Sequence, residues 1–302
     1  MISLAMPTYN GGKYLREQLD SIYAQTLLPD EVIVVDDCST DETISILEEY
    51  KEKYGLKFFR NDNNLGYNRN FEKAISLCSG DYIALSDQDD IWLPTKLEKS
   101  YCKLLEIENE LPALVSSFVS TNKQVLHRIP EKRYIEGGWD LNLNRYVSQG
   151  CTLMFNRSLV QYIIPFPDGI MYDAYIGFVA SLIGNRYYIG ENLMYYRIHN
   201  NNSFATSDNS FIERLSNNLH RRIPCWFDNN RYKALLYIKE KYQNLIESEK
   251  LEYLNQILYL YETSVLNRII VFNRIKGIPI LNKFKTTVFL IIKFIFRVKD
   301  YD

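Results

Sequence analysis

The sequence predicts an α/β fold: a mostly parallel central sheet with helices on both faces, followed by a helical C-terminal region. Three observations predict it. Short apolar runs alternate with segments of helical periodicity over the first 110 residues. Glu31-Val32-Ile33-Val34-Val35-Asp36-Asp37 is β-branched and apolar throughout its interior, as a strand buried on both faces requires. From about Phe211 the strand pattern stops and long helical periodicity takes over. With 302 residues, 46% hydrophobic and 24% charged, the chain can bury a full core, and its length suits two domains.

In order, Ile2-Ser3-Leu4-Ala5-Met6 is an apolar run that Pro7 ends. Tyr14, Leu15, Leu19, Ile22 and Tyr23 then recur at helical spacing. After the second strand, Ser39 with Glu42 three residues on is a capping-box pattern that opens a helix to about Tyr54. A third strand is expected over 57–60, a turn at Asn63-Asn64-Leu65-Gly66 and a helix over 70–77. Tyr82-Ile83-Ala84-Leu85 reads as a buried strand, and Pro94 precedes a helix over 96–108. Segments 226–246, 251–275 and 280–298 read as three helices, the last two separated by Gly277 and Pro279. The expected division is 1–210 for an α/β domain, with halves 1–110 and 111–210, and 211–302 for the helical region.

Composition excludes several classes. A net charge of −2 gives no sign of nucleic-acid binding. The five cysteines are odd in number and none form a Cys-x-x-Cys pair, which argues against a disulfide framework or zinc site and for a reducing, cytoplasmic setting. Met1 leads directly into a strand-like run with no basic region, unlike a signal peptide. No uncharged apolar run is long enough to span a bilayer. In the tail, Lys283, Lys285, Lys293, Arg297 and Lys299 are interleaved with large apolar residues. As a helix, 286–298 would be about 20 Å long, short of the roughly 30 Å hydrocarbon core. Two readings stay open: a helix lying on an anionic membrane surface, peripheral on the inner face of the plasma membrane, or one packed on the α/β domain or in a homodimer interface.

The chemistry gathers at Ser86-Asp87-Gln88-Asp89-Asp90-Ile91-Trp92, where three carboxylates follow a buried strand. In such sheets ligands bind beyond the carboxyl ends of the strands. Thr8-Tyr9-Asn10-Gly11-Gly12, Asp36-Asp37 and Asp87-Gln88-Asp89-Asp90 should therefore converge on one crevice. If the chain stays extended, Asp87 and Asp89 point to one side, about 7 Å apart. Such oxygen ligands suit Mg2+ or Mn2+ with substrate phosphates completing the shell; as a helix-capping loop, the same acids would need no ligand. Gly11-Gly12 would let the backbone approach a ligand closely. Neither the Gly-x-Gly-x-x-Gly dinucleotide fingerprint nor a Gly-x-x-x-x-Gly-Lys-Ser/Thr loop is present.

Met6-Pro7-Thr8-Tyr9-Asn10-Gly11, Val35-Asp36-Asp37-Cys38-Ser39-Thr40-Asp41, Asn64-Leu65-Gly66 and Asp87-Gln88-Asp89-Asp90-Ile91-Trp92 resemble, in order and spacing, the motifs of family-2 nucleotide-sugar glycosyltransferases of the GT-A fold. Gln149-Gly150-Cys151-Thr152-Leu153-Met154-Phe155-Asn156-Arg157, Met171-Tyr172-Asp173-Ala174-Tyr175 and Tyr196-Arg197-Ile198-His199-Asn200-Asn201-Asn202 resemble segments of its bacterial rhamnosyltransferase-like branch. Three positions depart from that branch: Tyr172 and Ala174 flank the Asp where bulky or polar residues are usual, and Ala205 replaces a common Gly.

The resemblance implies an inverting transfer of one sugar from a nucleoside-diphosphate donor, dTDP-rhamnose or a UDP-sugar, to a growing cell-surface polysaccharide or lipid-linked glycan. It implies donor contacts from Pro7, Thr8, Tyr9, Asn10, Asn64, Gly66, Asp87, Gln88, Arg197 and His199, with Asp37 accepting a hydrogen bond from the base and Tyr9 packing on it. It implies Mn2+ or Mg2+ on Asp89, Asp87 and His199. Trp92, Gln149, Gly150 and Cys151 would lie on the acceptor side, and Asp173 would be the general base. A helix-start acid is the structural alternative for Asp173, and Asp168 in the Pro167-Asp168-Gly169 turn is the next candidate base. Two other classes remain: a non-catalytic sugar-nucleotide-binding subunit, and a nucleotidyltransferase, for which the basic Gly-rich loop is missing.

Overall fold

The computed structural model describes residues 1–108, 111–121, 149–197, 199, 229–264, 267 and 270. One eight-stranded sheet carries the fold, in the order β3-β2-β1-β4-β7-β6-β8-β5. The strands are β1 (Ile2–Thr8), β2 (Glu31–Asp36), β3 (Lys57–Arg60), β4 (Tyr82–Leu85), β5 (Ile91–Trp92), β6 (Ala113–Thr121), β7 (Met154–Asn156) and β8 (Asn185–Tyr196). Strands β1 to β4 are mutually parallel, as expected. The other half is mixed: β7 runs antiparallel to β4 and β6, β8 parallel to β6, and β5 antiparallel to β8. Parallel pairings outnumber antiparallel ones, as expected, but the antiparallel pairings all lie in the second half of the sheet or at its junction with the first. A parallel neighbour needs a crossover of a dozen or more residues. Only Ser86–Asp90 separates β4 from β5, so β5 leaves the parallel set and closes the far edge.

Side chains alternate between the two faces, which is why these strands are apolar throughout. Leu4, Met6, Val32 and Val34 meet Leu15, Leu19 and Ile22 of α1 (Gly12–Tyr23), Leu47 of α2 (Thr43–Tyr54), and Leu97 and Leu104 of α4 (Lys96–Ile107). Ala5, Ile33, Val35, Ile83 and Leu85 face Phe71 and Ile75 of α3 (Tyr67–Leu77) and Tyr175 and Val179 of α6 (Tyr172–Ile183). The short α5 (Val160–Ile163) adds Ile163 to this second cluster. Leu235 and Ile238 of α7 (Asn229–Tyr242) and Leu254 and Ile257 of α8 (Ser248–Glu262) join it too. The C-terminal helices therefore extend the apolar cluster behind the sheet. Truncating Leu19 or Leu235, both fully buried, to alanine would cost about 2–5 kcal/mol.

Three boundaries differ from expectation. β1 continues through Pro7 to Thr8. Ala5 O still accepts Ser86 N at 3.0 Å, but the β1–β4 register ends at Ala5, so Pro7's missing N–H faces the side where that ladder has stopped. The capping box does not form: α2 starts at Thr43 with no side-chain cap, because Ser39 is drawn back to Asp36 and Asp41 Oδ1 accepts Thr43 N instead. α3 starts at Tyr67, three residues early, behind Gly66 at φ +78°, a conformation that favours glycine. The expected tail helix over 280–298 and Ala205 lie outside the described residues. Among the described residues, no helix is long and apolar enough to cross a membrane.

Candidate active site

Polar residues at the ends of β1, β2 and β4 meet in one crevice. Two of its loops hold non-glycine residues at positive φ, Asn10 at 47° and Cys38 at 68°, a strained state typical of functional loops. Asn10 is held there by its own side chain, which accepts Thr40 N at 2.8 Å. Tyr9 beside it is 50% exposed. Its backbone is clamped by Gln88, whose amide accepts Tyr9 N at 2.9 Å and donates to Tyr9 O at 3.0 Å. That clamp explains Gly11: a Cβ there would stand 2.2 Å from Gln88 Oε1. The close approach glycine permits is to a side chain of this protein, where the sequence suggested a ligand.

Asp36 is buried and structural, accepting hydrogen bonds from Thr8 Oγ1, Ser39 N and Ser39 Oγ. Asp37 shapes the next loop. Its Oδ1 accepts Asn61 Nδ2 at 2.7 Å and Leu65 N at 2.8 Å, and its Oδ2 accepts Gly66 N at 2.9 Å. An ionised carboxylate has about four acceptor positions, so one on Oδ2 is left. Asn64 Nδ2 donates to Asp37 O. Asn61 and Asn70, unremarked in the sequence, complete this buried network, with Asn70 Nδ2 donating to Val35 O.

The acidic segment does not stay extended. β4 ends at Leu85 and the chain bends at Gln88-Asp89, so the two-residue alternation that would put Asp87 and Asp89 on one side fails. Asp87 groups instead with Asp90 and Cys151, their ligand atoms all within 4.8 Å of one another. Asp89 turns toward His199, Oδ2 to Nε2 at 2.7 Å. His199 is stacked on Tyr14 with ring centroids 4.8 Å apart. The expected trio of Asp87, Asp89 and His199 thus comes together only as the pair Asp89–His199. Arg197 braces this loop: its backbone N donates to Asp90 Oδ1, its Nε to Asp89 O, and its guanidinium reaches Glu17 and lies over the Tyr14 ring.

Behind the loop lies a residue the sequence reading missed. Lys96, at the first position of α4, is 1% exposed, with Nζ 4.0 Å from the Trp92 ring centroid. Burial pulls its pKa down to about 8, against the nearby Cys151, Asp90 and Asp87. Burial, then Asp89, pushes Asp90 up to about 7. Burial, then the charges of Asp90, Asp89 and Asp173, hold Asp87 well above the ordinary carboxylate range. Trp92 and Cys151, expected on the acceptor side, are 2% and 1% exposed and pack into the core beneath the crevice. Both therefore form its floor. Gly150 is buried as well: a Cβ there would run into the Tyr172 hydroxyl. Gln149 stays partly exposed.

Asp173 opens the opposite wall, in the first turn of α6. Its Oδ1 accepts Ala174 N at 2.7 Å. Burial raises its pKa to about 6, opposed by the backbone N–H groups of Ala174, Asp173 and Gly150. Asp173 and Asp87 are close enough for the one to raise the other. Asp168, the other candidate base, is an exposed partner of Arg69, at the far side of the loop that leads into α6.

A sheet with its polar strand ends in one crevice, lined by carboxylates and an imidazole, is the GT-A architecture of nucleotide-sugar enzymes. The chain belongs to glycosyl transferase family 2, whose family model matches residues 3–163. It is similar to an uncharacterised glycosyltransferase of Rickettsia typhi, 28% identical over 221 residues that cover 70% of this chain and 69% of the relative. The putative teichuronic acid biosynthesis glycosyltransferase TuaG of Bacillus subtilis is 34% identical over 109 residues, 35% of this chain and 42% of that protein. In fold, the chain is similar to S. aureus TarS 1–349 in complex with UDP-GlcNAc, with TM-score 0.61 and 22% identity over 94% of this chain and 78% of TarS. It is also similar to the mannosyltransferase PcManGT of Pyrobaculum calidifontis in complex with GDP-Man and Mn2+, with TM-score 0.55 and 18% identity over 99% and 88% of the two chains.

Proposed function

We propose that this glycosyltransferase moves a single sugar from a nucleoside diphosphate to a hydroxyl of a growing cell-surface polysaccharide or lipid-linked glycan, inverting the anomeric centre. The observation that carries the reading is Asp173, a carboxyl raised to about 6 and facing the acidic loop. A sugar hydroxyl is a poor nucleophile until its proton leaves as the new bond forms. In this reading Asp173 takes that proton. The hydroxyl oxygen bonds to the anomeric carbon, and the nucleoside diphosphate departs with the electron pair of the broken bond. The name of the TuaG relative supports the polysaccharide acceptor, and the resemblance to the rhamnosyltransferase-like branch supports dTDP-rhamnose, or else a UDP-sugar, as donor.

The remaining acceptor position on Asp37 Oδ2 suits a base N–H donor, and exposed Tyr9 offers a flat face for the ring. Asp89 and His199, a carboxylate oxygen and an imidazole nitrogen already in contact, fit Mn2+ or Mg2+. The Asp87–Asp90–Cys151 group fits less well, since Lys96 already supplies positive charge there and burial keeps the Cys151 thiol protonated. When bound, the cation would neutralise charge on the leaving diphosphate. Asp173→Asn tests the reading, by acceptor-dependent release of nucleoside diphosphate beside calorimetric binding of the same donor. Removing a base typically costs about 10²- to 10⁴-fold in rate, and donor affinity should hold. Affinity and turnover falling together would assign Asp173 to the donor site or the core.

A further inference from the structure

Asn68 stands in the first turn of α3, two residues after Gly66. Its side chain brackets the start of α6: Nδ2 donates to Ile170 O at 2.7 Å and Oδ1 accepts Tyr172 N at 3.1 Å. The next residue is Asp173. Helix α6 has no side-chain cap of its own, so its first N–H would otherwise be one of the orphan donors at a helix start. Asn68 satisfies it from another element. Neighbouring Arg69 holds the preceding loop by donating to Phe166 O at 2.9 Å and pairing with Asp168, while Glu72 accepts Phe166 N at 2.7 Å. The other side of this helix start is tied down by Asp37, through Leu65 N and Gly66 N.

We propose that Asn68 is a positioning residue for sugar transfer: it caps α6 from α3, aims the Asp173 carboxylate, and links that aim through the Gly66 loop to Asp37 on the donor side. The inference rests on Asp173 as the base. A primary amide is needed because the site asks for one donor and one acceptor from a single short side chain. Alanine supplies neither, and aspartate supplies the acceptor alone. A misplacement of about 1 Å in a reacting group costs on the order of 10²-fold in rate.

The test measures kcat by acceptor-dependent nucleoside-diphosphate release and donor Kd by calorimetry in Asn68→Ala and Asn68→Asp. Asn68→Ala should lower kcat by roughly 10- to 100-fold with donor Kd unchanged, and Asn68→Asp, which keeps the Tyr172 cap, should lie between it and the wild type. Asn68→Asp carries the test if the alanine variant does not fold. In an Asp173→Asn background, Asn68→Ala should remove nothing more, because both changes act through one carboxylate. Multiplicative losses in that double variant, or wild-type kcat in Asn68→Ala, would overturn the proposal while leaving Asp173 as base. Undiminished transfer in Asp173→Asn alone would overturn the base assignment itself, and this inference with it.

Discussion

With Asp173 as the proposed base, the pH dependence of transfer follows from that residue. Burial raises its carboxyl from 3.8 to about 6, because three backbone N–H groups recover only part of the desolvation cost. A general base works ionised. Activity should therefore be full above about pH 7 and fall as pH drops through 6, roughly tenfold per unit, since at pH 5 only about a tenth of the carboxyl is ionised. The assay is kcat/KM for nucleoside-diphosphate release between pH 4.5 and 8, which reports the free enzyme. A cation on Asp89 and His199 favours the ionised form of nearby acids, so raising Mn2+ should move the acidic limb to lower pH. Asp90→Asn should leave that limb in place, although Asp90 itself is raised to about 7. A limb near pH 4 at the lowest Mn2+ that supports turnover, or one surviving in the residual activity of Asp173→Asn, would refute the reasoning.

Other consequences follow from the same crevice. Gln88→Leu removes two hydrogen bonds that fix Tyr9, each worth about 1 kcal/mol net, and should weaken donor binding about tenfold and lower the melting temperature by a few degrees; Gly11→Ala should mimic it by displacing Gln88. Asp89→Asn, or EDTA, should abolish most turnover and any metal-dependent donor binding with the fold intact, and wild-type transfer under either would remove the metal from Asp89. Lys96→Met strips the buried cation from beside Asp87 and Asp90 and should destabilise the protein by roughly 3 kcal/mol near pH 7. The loss should be smaller at pH 5, because acids whose folded pKa is raised add their cost only as pH climbs above the unfolded value. A pH-independent loss in calorimetric melting would make Lys96 a packing residue.

The parallel half of the fold was legible because each strand there is an apolar run bounded by polar ends, and each helix shows its buried stripe. The mixed half was not: β5 and β7 are two and three residues long, too short to leave a periodic signature. Motif residues marked the crevice, but the bend at Gln88-Asp89 broke the extended-chain geometry, and burial put Trp92 and Cys151 beneath it as its floor. Lys96 was visible in principle. It shares the buried stripe of α4 with Leu97, Ser100 and Leu104, and a lysine at a helix N-terminus opposes the helix dipole. Both signs mark a cation held there by something else. Asn70 gives the same kind of signal, lying on the apolar face of α3 with Phe71, Ala74 and Ile75.

The bend in the acidic loop takes Asp89 away from Asp87 and Asp90, which stay grouped beside Cys151 and coexist there because burial raises both toward the protonated form. Three carboxylates within four residues would repel strongly if all faced one low-dielectric space. The bend instead sends Asp89 to the mouth against His199, leaves Asp87 in the crevice, and turns Asp90 inward, where it meets Arg197 N and has Lys96 nearby. Asp90 Oδ2 is buried, its carboxyl lies beside the Cys151 thiol, and burial, then Asp89, push that carboxyl up to about 7. Carboxylates raised in this way bind incoming positive charge, or take up a proton, more readily than relaxed ones. In the proposed mechanism Asp173, raised by the same burial, is the carboxylate that takes the proton a sugar hydroxyl gives up.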